Sequence, residues 1–237
     1  MKLSVIIPVF NERATIDSII SRVKNVELDS IISTEIIIID DGSTDGTIEA
    51  LASYNNDSSI IIFKQPLNKG KGAAVRKGFE LASGDIYLVQ DSDLEYSPID
   101  YPKLLAPILS NNADVVYGSR FVGGAAHRVL FYWHSRGNKL LTTLSNMFTD
   151  LNLTDMECGY KVFKKEVINE IKLFENRFGF EPEITAKIGR MAKSGKCRIF
   201  EVGISYFGRT YSDGKKINWK DGVSALRCII KYNIFKR

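Results

Sequence analysis

Unbroken apolar runs, each followed by a polar or glycine-rich turn, mark the first half of the chain. Residues 3–9, 35–39, 60–63 and 85–89 read as strands buried on both faces, the pattern of a parallel sheet. Between them, residues 12–24 place Ile16, Ile19, Ile20 and Val23 on one helical face. Residues 44–54 also read as a helix, and a glycine-rich loop at 68–72 opens another that runs to about 82. Strands alternating with helices predict an α/β fold: a mostly parallel sheet with helices on both faces, in one domain. Ligands of such sheets bind outside the carboxyl ends of the strands. Three of the four strands end in polar or acidic residues, so chemistry is expected at that edge.

The second half is less regular. Residues 115–117 predict a short strand before Gly118-Ser119-Arg120. Helices are expected at 130–148, 184–191 and 223–235, and a strand at 198–205. No repeat, low-complexity segment or linker interrupts the chain. It divides by content into a first part at 1–118, a second at 119–210 and a basic tail at 211–237.

Length and composition agree with one α/β domain: 237 residues, 44% hydrophobic and 25% charged. No apolar run approaches the roughly 18–20 residues that span a bilayer, and the start lacks the pattern of a secretory signal. Three scattered cysteines form neither a zinc pattern nor a disulfide framework, which points to a reducing, cytoplasmic setting. The net charge of +4 is unevenly spread: residues 187–237 hold 13 Lys or Arg against 3 Asp or Glu. Such a segment is either a solvated surface or one that meets phosphates, of a substrate or of anionic lipid. Without a nucleic-acid motif, no nucleic-acid partner is expected.

The strongest chemical signal is Asp91-Ser92-Asp93 with Glu95, directly after an apolar strand. Carboxylates crowded at the edge of a core repel one another and are costly to desolvate, and a divalent cation removes that cost. Oxygen ligands suit Mg2+ or Mn2+. Asp91, Asp93 and Glu95 are therefore the expected metal residues, and Asp91 and Asp93 the catalytic ones. A solvated acidic turn would carry the same tripeptide, but the preceding strand and neighbouring loops favour the metal. Asp40-Asp41-Gly42-Ser43-Thr44 suits a turn and helix cap. Its two acids also suit a nucleoside, with Asp41 the main contact and Asp40 second. In the loop at 68–72, the glycines allow backbone amides to approach a ligand. Lys69, Lys71 and Arg76 there lie near a helix N-terminus that favours anions. Arg120, Arg128, Ser135 and Arg136 stand beside an aromatic run, Phe131-Tyr132-Trp133. They are either solvated charges on a core helix or an acceptor-phosphate site with an apolar wall. His127 and His134 receive no role.

Ser4-Val5-Ile6-Ile7-Pro8-Val9-Phe10-Asn11-Glu12, Asp40 to Asp45, Asn68 to Gly72, Asp91-Ser92-Asp93 and Gly118 to Phe121 together resemble the inverting family 2 glycosyltransferases. That resemblance implies the GT-A fold, a Rossmann-like nucleotide-sugar domain. Residues 155–163, Gly208 to Tyr211 and Gly214 to Lys216 further resemble the dolichyl-phosphate mannose synthase branch. The branch implies transfer of a hexose from a nucleotide sugar, GDP-mannose or a UDP-sugar, to a polyprenyl phosphate. The alternatives are a glycan hydroxyl as acceptor, or a non-catalytic nucleotide-sugar binder. The resemblance implies that Pro8, Phe10 and Glu12 line the nucleoside pocket and that Asp41 reaches the base. Lys69 and Gly72 then lie in the donor loop, Ser92 lies in the metal motif, and Arg120 and Ser135 meet the acceptor phosphate. Glu95 stands where the mannose synthases often have Gln. Phe131 stands where some have Arg, which leaves Arg128 or Arg136 to substitute. A hydroxyl acceptor would need a base, for which Asp155, Glu181 and Glu183 are candidates. In the tail, Val223, Leu226, Ile229, Ile230 and Ile234 recur at roughly helical spacing among Arg227, Lys231, Lys236 and Arg237, so this face either packs on the core or docks peripherally on the cytosolic face of a membrane.

Overall fold

The computed structural model describes residues 1–123, 128–129, 131–209 and 219–235, with only the backbone at 219–220. Seven strands form one sheet: β1 (Lys2–Val9), β2 (Ser33–Asp40), β3 (Ile60–Lys64), β4 (Ile86–Val89), β5 (Val115–Ser119), β6 (Lys161–Lys164) and β7 (Ile199–Gly203), in the order β3-β2-β1-β4-β6-β5-β7. β1 pairs in parallel with β2 and with β4, Val9 lying opposite Asp40 and Ile6 opposite Val89. The strand order reverses at β1, so the crevice beyond β1 and β4 is the topological switch point where ligands of open α/β sheets bind. β6 runs antiparallel to both β4 and β5, and β5 and β7 are parallel.

Successive residues of the central strands supply opposite faces. Val5, Ile7, Ile36 and Ile38 pack with α1 (Ile16–Lys24) and α4 (Tyr101–Leu109). Ile6, Ile37 and Ile39 pack with α3 (Lys71–Leu81) and α7 (Phe180–Lys193). Gly78 lies so near the Ile6 side chain that any Cβ there would collide with it, which brings α3 down onto β1. α2 (Thr47–Leu51) is a short helix, extended by one 3-10 turn, and α6 (Lys165–Glu170) follows β6 directly.

Three elements depart from the sequence reading. β6, in the middle of the sheet, was not expected, nor were α4 and α6. The division at residue 118 falls inside β5.

The two long helices of the second half are built unusually. α5 (Tyr132–Thr149) buries Thr142, Ser145 and Thr149 and exposes Trp133, Leu140 and Met147. Small side chains on its inner face permit a close approach to the protein, while its large apolar residues face outward. α8 (Trp219–Ile234) packs against α5 and α7 through Ala225, Cys228, Ile229 and Tyr232. Ile229, expected to share a face with Val223, Leu226, Ile230 and Ile234, is buried, while the other four stay exposed. Among the described residues no helix is long and apolar enough to cross a membrane.

Candidate active site

Loops at the carboxyl ends of β1, β2 and β4 are knitted together by their own polar groups. Asn11, with φ of 51°, accepts from the Thr44 amide through Oδ1 and donates its own amide to Ser43 Oγ. Ser92 Oγ donates to the Pro8 carbonyl at 3.1 Å, tying the acidic motif to the end of β1. Gln90 is fully buried, and its Oε1 accepts from both Tyr101 and Tyr160 hydroxyls. The acidic loop is thus anchored at its base before the first carboxylate emerges.

Two cations neutralise that acidic edge from opposite sides. Lys71 Nζ, at the start of α3, lies 2.8 Å from Asp91 and 3.2 Å from Glu181. These carboxylates raise its pKa against the opposing effect of burial. Arg209 reaches Asp93 at 2.8 Å, Glu12 at 3.2 Å and Glu95 at 3.6 Å. Glu95 is further held by the Tyr206 hydroxyl and by the Arg209 amide, both at 2.8 Å. Asp93 nevertheless stays pushed up to about 7, first by burial and then by Asp91 and Glu95.

That excess of negative charge, carried on hard oxygen atoms, fits a divalent cation. Among the described residues, however, no three His, Cys, Asp or Glu side chains gather into a ready-made cage. The expected set of Asp91, Asp93 and Glu95 is therefore not preassembled: Lys71 draws Asp91 one way, while Tyr206 and Arg209 draw Glu95 the other. A cation at Asp93 would rely on oxygens brought by a substrate, the usual habit of Mg2+ with phosphates.

Asp41 lies at the end of β2, only 2% exposed. Its carboxylate accepts from Gln65 Nε2 and the Lys69 amide at 2.8 Å, and from the Gly70 amide at 2.6 Å. The residue read as the main nucleoside contact is therefore also the clasp of the glycine-rich loop. Asp40 is fully buried and accepts from the Ser43 amide through one oxygen, shaping the turn, while its other oxygen meets no donor among the described residues. Arg76 corrects the sequence reading, since its guanidinium reaches the Asn176 side chain at 2.7 Å and the carbonyls of Leu173 and Glu175 at 3.4 Å. It fastens the 173–176 segment beneath the glycine-rich loop. Gly70 and Gly72 abut that same segment so closely that neither has room for a Cβ. The Lys69 side chain is exposed, and Pro8, Phe10 and Glu12 lie at the carboxyl end of β1 as expected.

On the acceptor side Arg120 forms a two-pronged pair with Asp155, at 2.6 and 2.7 Å, and its amide bonds the same carboxylate. Asp155 is fully buried and also accepts from Asn138. These bonds occupy the carboxylate and count against its service as a base. The same holds for Glu183, which accepts from the Phe174 and Glu175 amides and from Lys187. Arg120 is not an unpaired cation awaiting phosphate, although its guanidinium borders the Tyr206 ring at 5.3 Å. Arg128 donates to the Gly208 carbonyl at 2.9 Å and bridges to the loop that carries Arg209. Ser135 is half-buried in the first turn of α5, near the exposed Phe131, Tyr132 and Trp133. His127, Leu130, Thr210, Tyr211, Gly214, Lys215, Lys216, Lys236 and Arg237 lie outside the described residues.

Sequence reasoning missed the bridge from Lys71 to Asp91 and Glu181, and the three carboxylates that meet Arg209. Lys71 had a signal, because a helix beginning at a strand's carboxyl edge aims its first side chains at that edge. Arg209 had one only in the resemblance of Gly208 to Tyr211 to the mannose synthase branch; nothing local ties it to the 93–95 loop, from which at least 114 residues separate it.

The model for "Glycosyl transferase family 2" matches residues 4–172. Dolichol-phosphate mannosyltransferase of Pyrococcus furiosus is 32% identical over 224 residues, covering 92% of this chain and 61% of that protein. Dolichyl-phosphate beta-glucosyltransferase of Trichomonas vaginalis is 29% identical, covering 99% of this chain and 74% of that one. The chain thus spans about 61% of the length of the Pyrococcus relative and 62% of an undecaprenyl-phosphate sugar transferase from Aeromonas hydrophila. Among solved structures, glucosyl-3-phosphoglycerate synthase of Mycobacterium tuberculosis, bound to Mn2+ and UDP, superposes with a TM-score of 0.74 at 20% identity, covering 98% of this chain and 80% of that one. At that identity the likeness establishes a shared fold, GT-A in kind. With the matched motifs at the strand ends that form this edge, the chain belongs to glycosyl transferase family 2.

Proposed function

We propose that this protein transfers a hexose from a nucleoside-diphosphate sugar to a polyprenyl phosphate, with inversion, using Mg2+ or Mn2+. The carrying observation is the acidic edge at Asp91, Asp93 and Glu95, framed by Lys71 and Arg209. A divalent cation held by Asp93 would neutralise charge on the departing nucleoside diphosphate. Arg209 adds a second positive charge beside the same position, and Asp41 holds the glycine-rich loop ready to receive the donor. Two of the three candidate bases, Asp155 and Glu183, are consumed by structural bonds; only Glu181, paired with Lys71, keeps an oxygen that could serve an acceptor which must lose a proton. A phosphate monoester is already anionic at neutral pH and attacks the anomeric carbon directly. The curated relatives named above carry polyprenyl-phosphate acceptors in their names, which supports the same reading. Transfer assays with UDP- and GDP-sugars, polyprenyl phosphate or free glycans, and Mn2+ or chelator test it. Turnover only with a glycan acceptor overturns it.

Asp41→Ala is expected to raise donor KM about 10-fold or more while kcat falls less. Losing the clasp costs binding in ground and transition states alike. Steady-state kinetics at varied donor check this; an unchanged KM with a collapsed kcat contradicts it.

The proposed acceptor calls for contact with a lipid surface. Val223, Leu226, Ile230 and Ile234 form an exposed stripe on α8, flanked by Arg227, with Lys231 tied to Glu175 at 2.7 Å, and Trp133, Leu140 and Met147 project from neighbouring α5. Apolar side chains set among basic ones suit an anionic interface, with about 1 kcal/mol from each Lys or Arg near it. Co-sedimentation with phosphatidylglycerol vesicles should be strong at low salt and weaken as ionic strength rises. Val223→Glu with Ile234→Glu should abolish it with little change in Tm, since these are the two most exposed side chains of the stripe. Failure to bind at low salt refutes peripheral docking.

A further inference from the structure

A pair of carboxylates beside the acidic edge has no role in the scheme above. Glu157 lies on the segment between α5 and β6, which its neighbours hold tightly. The Met156 amide bonds Thr142 Oγ1, the Gly159 amide bonds the Tyr96 hydroxyl, and the buried Lys161 ammonium donates to the Met156 and Cys158 carbonyls. Two residues beyond Glu157, Gly159 packs against the Asp91 carboxylate with no room for a Cβ. The segment is thus pinned against the first acid of the metal motif. Glu181, from the first turn of α7, shares Lys71 with that same acid.

Each member of the pair keeps one oxygen without a partner. Glu157 Oε1 and Glu181 Oε2 are sealed from bulk solvent, yet neither meets a donor among the described residues. Glu181 is only 3% exposed, while Glu157 is half-buried at the edge of the site. An unsatisfied buried acceptor costs on the order of 1–3 kcal/mol, and a catalytic or ligand-binding role is one of the few reasons such a cost is kept. Burial first, and then the charge of Glu181, push the Glu157 carboxyl up to about 8. Lys161, Arg120 and Asp155 are the other charged groups facing Glu157.

The charges around the pair also indicate what it binds. With Glu157 neutral, the cations Lys71, Lys161 and Arg120 are matched by Asp91, Asp155 and Glu181. A further cation would upset that balance, whereas an uncharged hydroxyl preserves it. A hydroxyl can donate to Glu181 and accept from a protonated Glu157. The donor brings hydroxyls on its ribose and on its hexose, and with the nucleoside assigned to the Asp41 side of the edge, the hexose is left for the Asp91 side. We propose that Glu157, paired with Glu181, binds a hydroxyl of that hexose and so sets which sugar is transferred. The inference rests on the nucleotide-sugar reading above.

The test compares wild type with Glu157→Ala and Glu157→Gln on the preferred nucleotide sugar and on its monodeoxy analogues. Glu157→Ala should lower kcat/KM on the full sugar about 10- to 100-fold, the usual worth of one strong buried hydrogen bond. On one monodeoxy donor, the one lacking the recognised hydroxyl, the same substitution should change little. Glu157→Gln, which keeps a donor and an acceptor, should restore most of the loss, and UDP or GDP should bind all three proteins alike. If Glu157→Ala does not fold, Glu157→Met fills the same space without polar atoms and answers the same question. Equal losses on every deoxy donor, or none on any, overturn the proposal while leaving the transferase reading intact. A wild type that transfers no hexose from any donor overturns both.

Discussion

Replacing Asp93 with Asn should abolish transfer and, at alkaline pH, make the metal-free protein more stable. The first effect follows from position: Asp93 is buried between Asp91 and Glu95, and Arg209 at 2.8 Å does not offset them. Loss of an electrostatic group aimed at the leaving charge typically costs about 10²- to 10³-fold in kcat. The second follows from its raised pKa. A carboxyl at about 7 in the folded chain and near the ordinary value of about 3.9 in the unfolded chain keeps its proton longer when folded. Between those two values the native state binds more protons, so stability falls as pH rises through that window and is flat above it. Asn carries no such slope. The Tm gain of Asp93→Asn should therefore be small at pH 5 and largest at pH 8. Calorimetry in chelator checks this, and a gain independent of pH would show that Asp93 is not under electrostatic strain. Turnover near that of wild type at limiting Mn2+ would remove Asp93 from the mechanism.

Asp155→Ala should be the most damaging substitution for stability, at about 3–5 kcal/mol, because it strands the Arg120 guanidinium without its partner. It also removes the acceptor for the Arg120 amide and for Asn138. Urea unfolding measures the loss. The double variant Asp155→Ala with Arg120→Met should recover part of it, since the stranded charge is then gone. No recovery would mean that the loss comes from packing instead of the ion pair.

The legible parts of this molecule are those whose signal is local. β1, β2 and β4 announce themselves because a strand buried on both faces must be apolar at every position, and the acids that follow stand out by contrast. β6 escapes because it is four residues long with lysines at both ends. Lys161 is tolerated inside only because the Met156 and Cys158 carbonyls receive its ammonium. α4 escapes because Pro102 and Pro107 argue against a helix. Yet Pro102 sits in the first turn, where its missing amide costs nothing, and Pro107 near the last. The site divides in the same way. The acids at 91, 93 and 95 are adjacent in sequence and visible there. The cations that complete the edge come from Lys71 and Arg209, which only the tertiary fold brings near. Asp41 was recognised as important from its place at a strand end. The amides of Lys69 and Gly70 that it holds are invisible to any reading of side-chain types.

The antiparallel strand at the middle of the sheet also bears on how the chain is made. β4 pairs with β1 on one side, but its other edge is closed only by β6, more than seventy residues later in synthesis. Until then, a fully buried run of Ile86, Tyr87, Leu88 and Val89 presents an open row of amides and carbonyls, a template for pairing with another chain. The nascent protein must keep that edge from other chains until Lys161–Lys164 emerges, the kind of long-range closure that slows folding and invites aggregation. Nonsense products ending before residue 161 would carry a complete-looking nucleotide half and a permanently adhesive strand.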